Sequence, residues 1–215
     1  MLTKYETFLW DGGIQNIAGV DEVGRGALAG PLVTAAVILN KEHLYRNNDV
    51  SSEIMELYEQ INDSKLLTPK KREKLSEFIR EHAVTFSISQ IENTEVDDLG
   101  ISASTQKAFF NSIQNLKVKP GHVLTDTFEI KKLTKANQTN IIKGDTKSIT
   151  IAAASIVAKV YRDALMVKMH ETYQEYGFDK HKGYGTIFHM GALKKYGPCK
   201  IHRITFAPLS IKKNQ

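Results

Sequence analysis

Gly19-Val20-Asp21-Glu22-Val23-Gly24-Arg25-Gly26 carries an apolar strand, Ile17 to Val23, into a turn that closes at Pro31, where a second apolar run, Leu32 to Leu39, begins. Both runs are short and rich in Val, Ile and Ala, and the glycine-bearing Gly24 to Pro31 between them makes the pair a hairpin. Two adjacent carboxylates stand at the end of the first strand. A buried, unpaired carboxylate costs several kcal/mol or shifts its pKa, so Asp21 and Glu22 call for a cation. That cation is either Arg25, in a plain structural salt bridge, or a metal. Successive strand side chains point to opposite faces, so the two acids share a site only where the strand ends or bends, which Gly24 and Gly26 make easy. The same glycines form either an ordinary turn or a place where backbone N–H groups meet a phosphate or sugar, with Arg25 as a charged fork. Gly24 to Ala29 also fits the loose dinucleotide pattern G-x-G-x-x-G/A. Context argues against it, because that pattern must open a helix and here Gly30-Pro31 and a strand follow at once.

Working outward, Thr68-Pro69 is an N-cap followed by proline at the first helical position. Leu75, Phe78, Ile79 and His82 then recur on one face, predicting a helix that ends near His82. Val84, Phe86, Ile88 and Ile91 predict a half-buried strand, and Ser102 to Leu116, with Phe109, Ile113 and Leu116, a helix. His122 to Asp126 and Asn140 to Lys143 are short apolar runs, and the alanine-rich Ile151 to Tyr176 predicts a long, largely buried helix. A strand pair followed by alternating strand and helix points to an α/β domain with a mixed sheet. No repeat, low-complexity block or Pro/Gly/Ser-rich linker marks a boundary, so residues 1–215 read as one domain.

Composition bounds the function. Of 215 residues, 41% are hydrophobic and 25% charged, which excludes a disordered or collagen-like chain. The longest apolar run falls far short of the roughly 20 residues of a membrane-spanning helix, and no charged-then-apolar leader opens the chain. Cys199 is the only cysteine, so no intrachain disulfide forms, and a cytoplasmic protein is expected. Lys and Arg (29) outnumber Asp and Glu (24), a net charge of +5 compatible with a polyanionic partner.

Two more acids stand where strands are expected to end, Asp126 after Val123-Leu124 and Asp145 in Lys143-Gly144-Asp145; taken singly, each is more often a turn residue. Gathered at one sheet edge with Asp21 and Glu22, they would repel one another and call for a hard divalent cation, Mg²⁺ or Mn²⁺. With these residues in view the chain resembles the type 2 ribonucleases H, the bacterial ribonuclease HII family. Segments match in order: Gly19 to Gly26 with Leu28-Ala29-Gly30-Pro31; Asn62-Asp63-Ser64-Lys65; Leu124-Thr125-Asp126; Lys143-Gly144-Asp145 with Ala152 to Asp163; and His181-Lys182-Gly183-Tyr184-Gly185-Thr186, followed by His202-Arg203.

The resemblance implies a ribonuclease H-like fold, a mixed sheet flanked by helices with a helical C-terminal region. It implies Asp21, Glu22, Asp126 and Asp145 as the catalytic, metal-binding acids, Gly24, Arg25 and Gly26 as the loop that reads the ribonucleotide, and Tyr184 as its partner. The implied activity is a metal-dependent endoribonuclease that cuts the RNA strand of RNA/DNA hybrids and cuts 5′ of single ribonucleotides in duplex DNA. A two-metal mechanism would leave 5′-phosphate and 3′-hydroxyl ends. The alternatives are a non-catalytic nucleic-acid-binding protein and another nuclease or strand transferase of the same fold. Ala27 stands where the family usually has proline, and Thr125 and Thr127 where valine and glycine are common. Twenty residues precede Asp21, too few for the extra N-terminal domain of the type 3 branch. A monomer is expected. Asp163 stays outside the acidic set, pairing with Arg162 or Lys159 or facing the edge of the site, and His181, His189 and His202 with Cys199 lack the paired spacing of a zinc site, so the histidines read as solvated or packing residues.

Overall fold

A computed structural model describes residues 1–45 and 50–210. In chain order its elements are α1 (Lys4–Asp11), β1 (Ile17–Val23), β2 (Leu32–Ile38), α2 (Lys41–Leu44), α3 (Ser52–Glu59), α4 (Pro69–His82), β3 (Thr85–Ile91), α5 (Asn93–Leu99), α6 (Ile101–Gln114), β4 (His122–Asp126), β5 (Gln138–Ile141), α7 (Ile149–Thr172), α8 (Phe178–His181) and α9 (Ile187–Tyr196). The strands form one sheet in the order β3-β2-β1-β4-β5. The β1–β2 hairpin and the β2–β3 pair are antiparallel, whereas β4 runs parallel to both β1 and β5. This is the mixed sheet, flanked by helices, that the sequence predicts.

Helices cover both faces, which is why β2 is buried at every position, and apolar at all but Thr34, rather than alternating. One face, through Val33, Ala35 and Val37, packs on α4 and the alanine-rich start of α7. The other, through Ala18, Val20, Ala36 and Ile38, packs on Phe109 and Ile113 of α6. β3 departs from its apolar reading. Thr85, Ser87 and Ser89 are buried along with Ile91, Ser87 donating to the Ser112 carbonyl, while Phe86 and Ile88 are half-buried.

The helix predicted from Thr68-Pro69 ends where expected, and the Thr68 hydroxyl accepts from the Lys71 amide at 3.3 Å. α7 begins two residues before its predicted start and stops at Thr172. Its N-cap Ser148 is fixed by the buried Glu6 of α1, whose carboxylate accepts from the Ser148 hydroxyl (2.6 Å) and the Thr150 amide (3.1 Å) and hydroxyl (2.8 Å). Beyond it, Tyr176, Phe178, Ala192 and Leu193 form a third apolar cluster with Leu28, Ala29 and Met166, which seats the C-terminal helices on the Gly24–Pro31 turn. Among the described residues no helix is long and apolar enough to cross a membrane.

Candidate functional site

Strand parity and register bring the acids together. On β1, Gly19, Asp21 and Val23 face α7, and β1 pairs with β4 as Gly19↔Leu124 and Val20↔Thr125. Just beyond that paired stretch, Asp21, two residues before the end of β1, lies near Asp126, the last residue of β4, whose charge acts on it. Glu22 faces the other way at the strand's end, yet all three line one cavity of about 440 Å³, shared with Gly24, Arg25, Gly26, Ser64, Lys65, Ser155, Lys159 and Tyr184.

Asp21 is buried, and its pKa is raised well above the usual carboxylate range, first by desolvation and then by the neighbouring charge of Glu22. The Ser155 hydroxyl and the Glu22 amide, which donates to Asp21 Oδ1 at 2.8 Å, offset this only in part. Glu22 is pushed up to about 7, mainly by burial; Arg25 pulls it down and Asp126 pushes it further up. Arg25 is not its salt-bridge partner. The guanidinium lies 4.0 Å from the ring centroid of Phe128, and none of the ion pairs among the described residues includes it.

Asp145 is placed differently. It lies in a tight turn, Gly144–Thr146, between β5 and α7 rather than at a strand end, and does not line the cavity. Its Oδ2 accepts from Lys65 Nζ at 3.2 Å. The turn is tied to the other acids because the Gly144 amide donates to Asp126 Oδ1 at 2.7 Å.

As placed, no three His, Cys, Asp or Glu side chains among the described residues are grouped closely enough to hold a metal ion. The donor set nonetheless fits a hard divalent cation. Its members are carboxylate oxygens, and a buried acid whose charge is opposed by burial and by two acidic neighbours is relieved by added positive charge.

The turn glycines separate into two kinds. Gly24 has φ +90°, and a Cβ there would lie 2.1 Å from Arg162 Nε, so its own fold requires glycine. Gly26 is exposed, and nothing lies within 4 Å of where its Cβ would be. Neither packing nor conformation explains the second glycine, whereas close approach by a ligand does. Tyr184 is half-buried across the cavity, its carbonyl 3.0 Å from His189 Nδ1.

The histidines are packing residues, as expected: His181 stacks on His189, and His189 Nε2 lies 3.0 Å from His202 Nε2. Asp163 pairs with Lys159 at 2.8 Å. Ser64, Lys65, Ser155 and Lys159 are site residues to which sequence reasoning gave no role. Their only signal was membership of the matched segments Asn62 to Lys65 and Ala152 to Asp163. Ser64 and Ser155 meet at 3.0 Å, and Arg72 of α4 holds the Ser64 carbonyl.

Comparison with known proteins follows the same lines. A sequence profile of Ribonuclease HII matches residues 18–209. The Ribonuclease HII of Clostridium perfringens (strain ATCC 13124) is 47% identical over 195 residues, which are 91% of this chain and 68% of that protein. Among solved structures, ribonuclease H2 from Pyrococcus horikoshii OT3 superposes with a TM-score of 0.74 at 24% identity, covering 93% of this chain and 97% of that one. Bst-RNase HIII in complex with Mn²⁺ superposes with a TM-score of 0.67 at 19% identity, covering 93% and 71%. At those identities the structural matches speak for the fold alone.

Proposed function

Because the chain belongs to the ribonuclease HII family, we propose that its ribonuclease activity is the endonucleolytic cutting of the RNA strand of RNA/DNA hybrids and, 5′ to the ribose, of duplex DNA carrying a single ribonucleotide. One observation carries this reading: Asp21, Glu22 and Asp126 share a cavity with Gly26 and Tyr184. A phosphodiester held at the acids therefore has its neighbouring sugar at the turn and the aromatic ring.

Asp21, Glu22, Asp126 and Asp145 would hold Mg²⁺ or Mn²⁺, Asp145 on exchanging Lys65 for the ion. Bound there, two such ions supply a water of lowered pKa and positive charge at the leaving 3′ oxygen, giving 5′-phosphate and 3′-hydroxyl ends. The chain's own part is positioning. Gly26 offers backbone groups to the 2′-hydroxyl, the one group that tells RNA from DNA at a given site, and Tyr184 presses on the sugar. Arg25, in none of the ion pairs among the described residues, and Lys159, on releasing Asp163, would meet phosphate oxygens.

The test is a duplex with one embedded ribonucleotide, incubated with Mg²⁺ or Mn²⁺ or with chelator, and its ends mapped. Metal-dependent cutting on the 5′ side, with a 3′-hydroxyl on the upstream fragment, is expected. Binding without cutting would favour a non-catalytic nucleic-acid-binding protein. Cutting that ignores the ribonucleotide would favour another nuclease of this fold.

A further inference from the structure

Arg162 is fully buried in α7, and none of the ion pairs among the described residues includes it. Asp163 beside it pairs with Lys159 instead. Its guanidinium is spent on backbone: Nε donates to the Pro31 carbonyl (2.9 Å), Nη2 to Ala29 (3.1 Å) and Nη1 to Lys182 (2.9 Å). The first two carbonyls belong to the turn that carries Gly24-Arg25-Gly26, and the third to the turn that carries Tyr184. The Tyr184 ring lies 5.4 Å from the same guanidinium carbon.

The two turns also touch directly. The Leu28 amide donates to the Gly183 carbonyl at 2.8 Å, and a Cβ on Gly183, at φ +85°, would lie 2.4 Å from the Ala29 oxygen. A second buried arginine, Arg203, ties the far side of the glycine turn, donating to the Gly30 carbonyl (3.0 and 2.9 Å) and the Arg25 carbonyl (3.1 Å).

A buried guanidinium is costly to desolvate, and the three carbonyls it satisfies would be left without a donor by an apolar side chain. What the fork adds is fixed geometry toward separate segments. Ser155, which hydrogen-bonds Asp21, lies on the same helix seven residues earlier, two turns or about 10 Å along it. One rigid helix thus touches both the acids and the two turns.

We propose that Arg162 is a positioning residue for site selection: through α7 it sets the offset between the carboxylates and the ribose-reading pair, Gly26 and Tyr184, and so which phosphodiester beside a ribonucleotide is cut. This rests on the reading of the site given above. A single embedded ribonucleotide offers one register, and losing the offset there is costly, since misplacement by about 1 Å lowers rates by up to about 100-fold. A long hybrid offers a 2′-hydroxyl in every register and tolerates slack.

The experiment compares wild type with Arg162→Lys, which keeps the charge and loses the fork, on a duplex with one ribonucleotide and on a continuous RNA/DNA hybrid. For Arg162→Lys, kcat on the single ribonucleotide should fall about 10- to 100-fold, with KM nearly unchanged, cut positions spread to neighbouring bonds, and hybrid cleavage affected several-fold less. Equal losses on both substrates, or a wild-type rate and cut position on the single ribonucleotide, overturn the proposal. Should Arg162→Lys not fold, amide exchange in the wild type decides. Adding an uncut duplex with a 2′-substituted ribonucleotide should protect the Leu28 and Tyr184 amides together, and protection of one turn without the other overturns it. Wild type that cuts neither substrate would instead sink the underlying reading of the site.

Discussion

Replacing Glu22 with Gln tests whether Glu22 is held without a salt-bridge partner. Folding raises the Glu22 pKa from 4.5 to about 7, chiefly through burial, with Asp126 adding to it against the pull of Arg25. A raised folded-state pKa means the native protein binds the proton more tightly than the unfolded chain. The stability linked to that proton is full below pH 4.5 and is lost as pH rises through 7. At 1.36 kcal/mol per unit the loss is about 3 kcal/mol above neutral pH. Gln cannot ionise and escapes it. In a chelator-treated thermal melt the Glu22→Gln protein should match wild type near pH 4.5 and exceed it by about 6 to 12 °C at pH 7.5, taking about 2 to 4 °C per kcal/mol for a chain this long. Millimolar Mn²⁺ should then narrow or reverse the gap, because the ion binds the folded wild type better. A gap that does not change with pH, or a wild type more stable than Glu22→Gln above pH 7 without metal, would show that Glu22 is satisfied by a salt bridge and would refute the reasoning.

Other substitutions separate the parts of the site. Asp126→Asn should keep the fold, read by circular dichroism, and abolish Mg²⁺-dependent cleavage, because the amide brings no charge to hold a cation against phosphate. Gly26→Ala should leave the melting temperature within about 2 °C, since surface changes away from special geometry lie within about 0.5 kcal/mol, while lowering activity on a single ribonucleotide; Gly24→Ala should lower both stability and activity, its Cβ meeting Arg162. Tyr184→Phe should cost little and Tyr184→Ala far more on the same substrate, with Mn²⁺ affinity by titration unchanged in both. Thr127 adopts φ 61° and donates its hydroxyl to Asp126 Oδ1 at 3.1 Å. Thr127→Gly should raise stability by up to about 1 kcal/mol in a denaturant melt as left-handed strain is released.

Local chemistry is what the sequence by itself determined. The hairpin, the helix from Thr68-Pro69, the long alanine-rich helix and the acids at Asp21, Glu22 and Asp126 were all legible, because period, capping residues and glycine–proline turns act over a few residues. Family likeness carried the reading from those segments to an activity. Tertiary structure decided what depends on residues far apart in the chain. Glu6 sets the start of α7 from 142 positions away, which no window of periodicity reveals. Burial of Ser87 in place of Phe86 is matched by the Ser112 carbonyl of α6, which accepts from its hydroxyl. Arg25 reads in sequence as one candidate partner of its neighbouring acids, yet its guanidinium lies over the ring of Phe128, which follows β4 and attracts a cation through its face. Asp145 reads as a fourth strand-end acid, but the fold turns it onto Lys65, which comes from the loop before α4. Arg162 and Arg203, ordinary surface residues by composition, become the buried ties of the glycine turn, because only the packed chain brings the carbonyls of Ala29, Gly30, Pro31 and Lys182 within their reach.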